Sequence, residues 1–286
     1  TEMILVDMNQ VTLSNLMVQI GGKNTVDPDL VRHMVLNSLR SYRTKFTEEF
    51  GELVLCYDNK TNWRRDVFPN YKHSRRKDRK SSKLDWNAIF DTLHLIRDEL
   101  VEYFPYKVLE VENAEADDII ASVVFHVASE PKNYEKVLIL SGDKDFIQLQ
   151  KHKFVSQYSP IQKKFMNGVD PTTYIKTHIL QGDRSDGVPN FLSPDNTFVD
   201  ELRQKPISKR KLETWIDLEP EDFCNENMMR NYHRNRTLID LDYIPKEIVD
   251  LCIKTFMDAE HKDRKNLLNY FVKYRLRNLT ENIGDF

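Results

Sequence analysis

VLILSGDKD, residues 137–145, decides the fold. Four consecutive apolar residues break into Ser-Gly-Asp-Lys-Asp. An unbroken apolar run of that length reads as a strand buried on both faces, the central position in a parallel sheet. Asp143 and Asp145 alternate along the chain, so both carboxylates point to the same side just past the strand end.

Working outward, MILVDMN (3–9) and LVLCYDN (53–59) are further apolar β-type runs, ending at Asp7 and Asp58. Between them, DPDLVRHMVLNSLRSYRTKF (27–46) spaces Leu30, Met34, Val35 and Leu39 as a helix does, after an Asp-Pro start signal. Leu84 to Phe104 repeats the helical pattern. YKVLEVE (106–112) reads as a strand and AEADDIIASVVFHVAS (114–129) as a helix. FVSQYS (154–159) reads as another strand, leading into a hairpin or loop, and beyond about Pro171 the pattern turns helical. The segment 190–211 is expected to be irregular. Strands alternating with helices predict an α/β fold, a central mostly parallel sheet flanked by helices with right-handed crossovers. The expected division is an α/β core over 1–180 and a smaller C-terminal helical region over 181–286.

In such sheets ligands sit beyond the carboxyl ends of the strands. Asp7, Asp58 and Asp143 all lie at strand ends and should meet there. Glu115, Asp117 and Asp118 open the AEADD helix, whose apolar stripe runs through Ile119, Ile120, Val123 and Val127, and Asp183 and Asp186 follow in GDRSD (182–186). Any one Asp after a strand is ordinarily a turn or cap residue. Together with Asp145 these acids exceed what capping needs. So many anions in one small volume raise each other's pKa unless cations hold them. Carboxylate oxygens suit hard divalent ions such as Mg²⁺ or Mn²⁺, and a pair of such ions is a common device for cutting phosphodiesters.

The chain has 286 residues, 40% hydrophobic and 30% charged, enough for a sizeable core, and no stretch approaches the roughly 20 apolar residues of a membrane span. Its three cysteines are widely spaced without a CxxC, against a disulfide framework or zinc site. No Gly-rich phosphate loop is present, and the His residues show no HxH or HExxH spacing. A net charge of −3 is unusual for a nucleic-acid enzyme, but the charge is segregated. Between Lys60 and Lys83 lie Arg64, Arg65, Lys72, Arg75, Arg76, Lys77, Arg79 and Lys80, opposed only by Asp66 and Asp78. Such a run is often just a solvated face. Here Trp63, Phe68, Tyr71 and His73 interleave with the cations, a composition suited to stacking bases beside neutralised phosphates. Arg32, on a mostly apolar helix, reads either as a snorkelling residue at the core edge or as a phosphate contact.

The ordered set Asp7, Asp58, YKHSR (71–75), EADD (115–118), SGDKD (141–145) and GDRSD resembles the structure-specific 5′-nucleases. That family includes flap endonucleases, the 5′-nuclease domain of bacterial DNA polymerase I and phage 5′-exonucleases. WRRD (63–66) and LIDLDYIP (238–245) resemble its T-even phage ribonuclease H branch. The resemblance implies a PIN-like core with a helical arch over about 60–83. One Mg²⁺ would use Asp7, Asp58, Glu115, Asp118 and Asp143, with Asp117 close by. A second would use Asp145, Asp183 and Asp186, and Mn²⁺ would substitute. Lys72 and Arg75 match the arch's catalytic basic pair, Tyr71 an aromatic neighbour, and Arg32 a phosphate contact. Arg64, Arg65 and Arg76 would add nucleic-acid contacts. A helix–three-turn–helix element should begin around GDRSDGVPN and grip duplex. The family pattern continues into a Gly-x-Gly-x-Lys turn that uses a monovalent cation, K⁺; here FLSPDNTFVDELRQKP (191–206) lacks those glycines. Lys205, Lys209, Arg210 and Lys211 are the expected replacements.

The implied activity is Mg²⁺-dependent 5′→3′ removal of RNA primers and 5′ flaps during phage DNA replication, by a monomer in the cytoplasm of the infected bacterium. The implied substrates are RNA–DNA hybrid and flapped or nicked duplex, and the implied partners a single-stranded DNA-binding protein and a sliding clamp. Two rival readings are a PIN-type ribonuclease, usually much shorter, and a non-catalytic nucleic-acid-binding protein with a relic metal site, in which some acids should be lost.

Overall fold

A computed structural model describes residues 2–20, 25–130 and 136–286. In chain order the elements begin β1 (Met3–Asp7), α1 (Met8–Ile20), α2 (Pro28–Phe50), β2 (Glu52–Tyr57), α3 (Trp63–Val67), α4 (His73–Ser81), α5 (Trp86–Tyr103), β3 (Lys107–Glu110), α6 (Ala116–Ser129) and β4 (Val137–Leu140). A 3₁₀ turn over Lys144–Lys151 leads to β5 (Val155–Ser159), β6 (Lys164–Phe165) and α7 (Pro171–Gln181). The remainder is helical: α8 (Lys209–Ile216), α9 (Pro220–Phe223), α10 (Glu226–Ile239), α11 (Lys246–Asp258), α12 (Leu267–Lys273) and α13 (Arg277–Thr280).

The six strands form one sheet in the order β3-β2-β1-β4-β5-β6. The first five are parallel, and β6 closes a hairpin antiparallel to β5. β1 and β4, buried throughout and apolar up to Asp7, lie at the centre, where VLIL was expected. Alternation along the strands divides the core in two. Ile4, Val6, Leu53, Leu55, Leu138 and Leu140 face the layer of α1, α2 and α5. Leu5, Val54, Cys56, Val137 and Ile139 face α6 and α11. The Asp-Pro signal works as read: the Asp27 carboxylate accepts from the Asp29 N–H, with Pro28 in the first turn.

The C-terminal helices do not build a separate core. α11 places Ile248, Cys252 and Phe256 against the α6 side. The chain then returns to the opposite face, where Leu267, Tyr270, Phe271, Leu279 and the terminal Phe286 join the α2 and α5 layer. A third cluster joins Phe68 and Tyr71 to Val188, Leu238 and Ile239, fastening the base of the basic segment to the C-terminal helices. Among the described residues no helix is long and apolar enough to cross a membrane. At the carboxyl edge the connections from β1 and β4 leave in opposite directions, the switch point where an open parallel sheet presents its crevice.

Candidate metal centre

Asp7, the last residue of β1, is nearly buried and accepts from the Ser141 hydroxyl beyond β4 at 3.0 Å. Gln10 ties the same two strand ends, its Oε1 accepting from the Gly142 N–H at 2.5 Å. A Cβ at Gly142 would lie 2.8 Å from Ser159 Oγ, so a side chain there would require that hydroxyl to turn away. Asp58, one residue past β2, accepts from Asn9 Nδ2 and from the Ala116 N–H at the start of α6, both at 2.6 Å. Asp143 caps the 3₁₀ turn through the Asp145 N–H at 2.9 Å. Oxygens of Asp117, Asp143 and Asp145 come within 4.8 Å of one another, and so do donor atoms of Asp145, His178 and Asp183. Asp145 thus belongs to two adjoining candidate positions. Asp183 is carried there by Gly182, whose φ of +69° and 2.4 Å Cβ approach to Val188 O exclude a side chain.

Crowding and burial displace these carboxyl groups from their ordinary range. Burial, with Asp58 beside it, pushes Asp7 up to about 7. Burial and Asp145 push Asp143 up to about 8. Burial and Asp143 raise Asp117 well above the usual carboxylate range, and burial and Glu115 raise Asp58. Burial, with Asp183 nearby and Lys72 opposing it, leaves Asp186 at about 6. This is a donor set short of positive charge, which a divalent cation fits.

Asp117 and Asp118 take different roles from those the resemblance implies. The resemblance places Asp118 among the ligands, but it is fully buried and engaged on both oxygens. Arg64 donates to it at 2.8 and 3.0 Å, Trp63 Nε1 at 3.2 Å and the Glu115 N–H at 2.8 Å. It positions the start of α6, while Asp117 turns to Asp143. Glu115 accepts from Arg64 at 3.0 Å, from the Tyr71 hydroxyl at 2.9 Å, and from Lys72 Nζ. Burial alone would raise its pKa; Lys72 and Arg64 hold it below the usual range instead. Arg64→Met should destabilise the protein by about 3–5 kcal/mol in denaturant unfolding, because buried Asp118 loses its cation and Glu115 one of its two. Exposed Lys80→Ala is the control and should change stability little.

Several expected nucleic-acid contacts are corrected with these. Arg64 is 3% exposed and committed to Asp118, Glu115 and the Leu238 carbonyl, so it is a structural tie. Trp63, Phe68 and Tyr71 are buried rather than offered to bases. Arg32 sits at the core edge, paired with Glu99 at 2.6 Å and Asp29 at 2.5 Å and stacked 4.0 Å over Tyr274, which spends its donors away from any phosphate. Lys72 and Arg75 do reach the acids, though not as neighbours on one helical face. Lys72 precedes α4 in a left-handed conformation (φ 55°), with Nζ on Glu115. Arg75 contacts Asp186 at 3.1 Å and the Ser185 carbonyl at 3.2 Å. With Arg65, Arg76 and Arg79 they line a cleft of about 370 Å³ that also reaches Asp58 and Glu115.

Lys205, Lys209 and Arg210 are exposed on the segment before and into α8. In the loop where the sequence departs from the family's glycine turn, Arg234 donates to the carbonyls of Pro189, Asn190 and Ser193 at 3.0–3.1 Å and to Asp195 at 2.7 Å. A guanidinium serves those carbonyls as their cation. The sequence reading missed His178, on α7 one turn after Tyr174, which stacks on it at 5.5 Å. Its signal was the i, i+4 pair running into GDRSD.

Residues 14–178 match the family model of the 5′-3′ exonuclease N-terminal resolvase-like domain, and residues 170–286 that of the T4 RNase H C-terminal region. The ribonuclease H of Enterobacteria phage T4 is 34% identical over 99% of this chain and 95% of its own. DNA polymerase I of Bacillus subtilis is 30% identical over 58% of this chain, which spans only 19% of that protein. Two solved structures share the fold. The T5 5′-exonuclease with bound zinc gives a TM-score of 0.60 at 16% identity, and the T5 flap endonuclease in complex with DNA and metal ions 0.60 at 15%. Each covers 90% of this chain and 98% of its own. The chain belongs to the 5′-3′ exonuclease family, with a C-terminal region of the T4 ribonuclease H type, and is a nuclease.

Proposed function

We propose that this nuclease uses two divalent cations, Mg²⁺ with Mn²⁺ as substitute, to remove RNA primers and short 5′ flaps during phage DNA replication. The observation that carries the reading is the convergence of Asp7, Asp58, Asp117, Asp143, Asp145, Asp183 and Asp186 at the sheet's switch point beneath Lys72 and Arg75. Asp7, Asp58, Asp117 and Asp143, with Glu115 once Lys72 leaves it, would hold one ion and Asp183 and Asp186 the other, with Asp145 between them. When bound, the ions supply Lewis acidity and positive charge for hydrolysis. The chain's own part is to hold phosphate and strand. Lys72 and Arg75 exchange Glu115 and Asp186 for the scissile phosphate and stabilise its developing charge. Arg65, Arg76 and Arg79 draw the single strand into the cleft. The helical region 181–286, with Lys205, Lys209 and Arg210, holds adjoining duplex. A single-stranded DNA-binding protein and a sliding clamp are the proposed partners, and a monomer in the host cytoplasm the proposed working form.

The test is cleavage of a 5′-labelled flapped duplex and an RNA–DNA hybrid with Mg²⁺, against EDTA. Shortening from the 5′ end that EDTA abolishes supports the reading; metal-independent cutting, or none, overturns it. Metal binding should also show in stability. Unfolded carboxylates titrate near pH 4. Raised folded values of about 7, 8 and 6 at Asp7, Asp143 and Asp186 mean the native state keeps protons the unfolded chain has lost. That stabilisation is complete below about pH 4 and is lost as pH rises through 6–8. Asp183, burial notwithstanding, is held at about 2 by His178, and its contribution fails only below that window. The metal-free Tm should therefore fall from pH 5 to 8, and millimolar Mg²⁺ should raise the Tm most at pH 8. Melting curves indifferent to Mg²⁺ and Mn²⁺ would count against the pocket.

A further inference from the structure

Among the described residues one histidine joins the carboxylates grouped closely enough to hold an ion. His178 Nε2 lies 3.2 Å from Asp145 Oδ1 and 3.4 Å from Asp183 Oδ2. The nitrogen itself is inaccessible although the side chain is 18% exposed, and neither contact has hydrogen-bond geometry. Two ligands each about 2.1 Å from a shared ion stand roughly 3.0 Å apart at right angles and 3.4 Å apart at tetrahedral angles. Both separations from His178 fall in the range of donors around a common centre. The ring is also fixed in place. α7 starts at a capped Asp170-Pro171 turn and stops at Gly182, and Tyr174 stacks on the imidazole with an interplanar angle of 17°. Holding a donor before its ion arrives reduces the ordering cost of binding.

We propose that His178 Nε2 is a ligand to the divalent ion held between Asp145 and Asp183, and that this donor makes the position favour Mn²⁺ or Co²⁺ over Mg²⁺. The inference rests on the metal-dependent reading above and adds to it a nitrogen ligand and an ion preference. Mg²⁺ is bound through oxygens and gives up water reluctantly, whereas imidazole suits transition metals. The competing arrangement is a protonated imidazole acting as a fixed counter-charge to the two carboxylates. It predicts no metal–nitrogen bond and metal affinity that rises when the ring is removed.

The experiment uses the full chain loaded with Mn²⁺. Pulsed electron paramagnetic resonance should show ¹⁴N coupling to Mn²⁺ in the unaltered protein, and none in His178→Gln. Calorimetry should show Mn²⁺ affinity falling about 10-fold or more in His178→Gln, with Mg²⁺ affinity falling less. Absence of ¹⁴N coupling in the unaltered protein overturns the proposal without any variant. Unchanged or tighter Mn²⁺ binding by folded His178→Gln also overturns it, in favour of the counter-charge. Either result leaves the nuclease reading standing if Mg²⁺-dependent cleavage persists. No binding of either ion removes both.

Discussion

Asp143→Asn should reduce cleavage by about 10³-fold or more while the chain stays folded and, without metal, becomes more stable. Asp143 sits just beyond the central strand β4, its oxygens within 4.8 Å of those of Asp117 and Asp145. Asn has nearly the same shape, and its amide oxygen can still accept from the Asp145 N–H, so the 3₁₀ turn survives. What disappears is one negative charge. In the metal-free protein that charge is costly, since burial and Asp145 push the carboxyl to about 8. Its loss relieves repulsion, and the metal-free Tm should rise at pH 8. In the loaded protein the same charge would hold the cation that supplies the chemistry, a contribution worth several kcal/mol of transition-state stabilisation. The variant should accordingly gain less from Mg²⁺ in a melting experiment. Opposite signs for activity and metal-free stability separate loss of a ligand from loss of fold, which would lower both. A folded Asp143→Asn protein cutting at a near-unaltered rate would sink the metal-centre assignment.

Lys72→Ala and Arg75→Ala should each lower the single-turnover rate at saturating enzyme by about 10²-fold. Both cations already touch the site, Lys72 through Glu115 and Arg75 through Asp186. The same reach puts them where a phosphate would lie once substrate enters. Lys77 instead pairs with Glu201, and both groups are well exposed, while Lys80 is exposed on the same helix. Lys77→Ala and Lys80→Ala should weaken binding in a salt-dependent way and spare the rate at saturation. Lys72→Ala carries a further sign. It leaves Glu115 with Arg64 and Tyr71 as partners, so the lowered carboxyl should move back up and the protein should lose some stability at neutral pH. Equal effects from all four substitutions, all suppressed by salt, would make the segment an electrostatic funnel only.

The sequence by itself determined the sheet and its functional edge. Apolar runs ending in Asp7, Asp58 and Asp143, alternating with helical patterns, leave a parallel sheet as the arrangement, and parallel strands with right-handed crossovers put all their carboxyl ends on one side. Those acids had to meet wherever the rest of the chain went. One local element without a strong periodic or capping signal was missed, α1, which follows β1 with no connecting loop. The rest turned on partners far apart in the chain. Asp117 and Asp118 are neighbours, and helical spacing cannot say which faces the acids; Arg64, 54 residues away, takes Asp118. Arg32 read equally well as a core residue or a phosphate contact until Glu99, 67 residues on, claimed it. His178 had only its spacing from Tyr174 until the end of α7 brought it against Asp145 and Asp183. The C-terminal helices gave no sign that they cover both faces of the sheet. Periodicity reports which face of an element is buried, because burial acts on each side chain through its own surface. Which charge meets which is fixed by packing between elements, because buried ions are held only where a specific partner arrives.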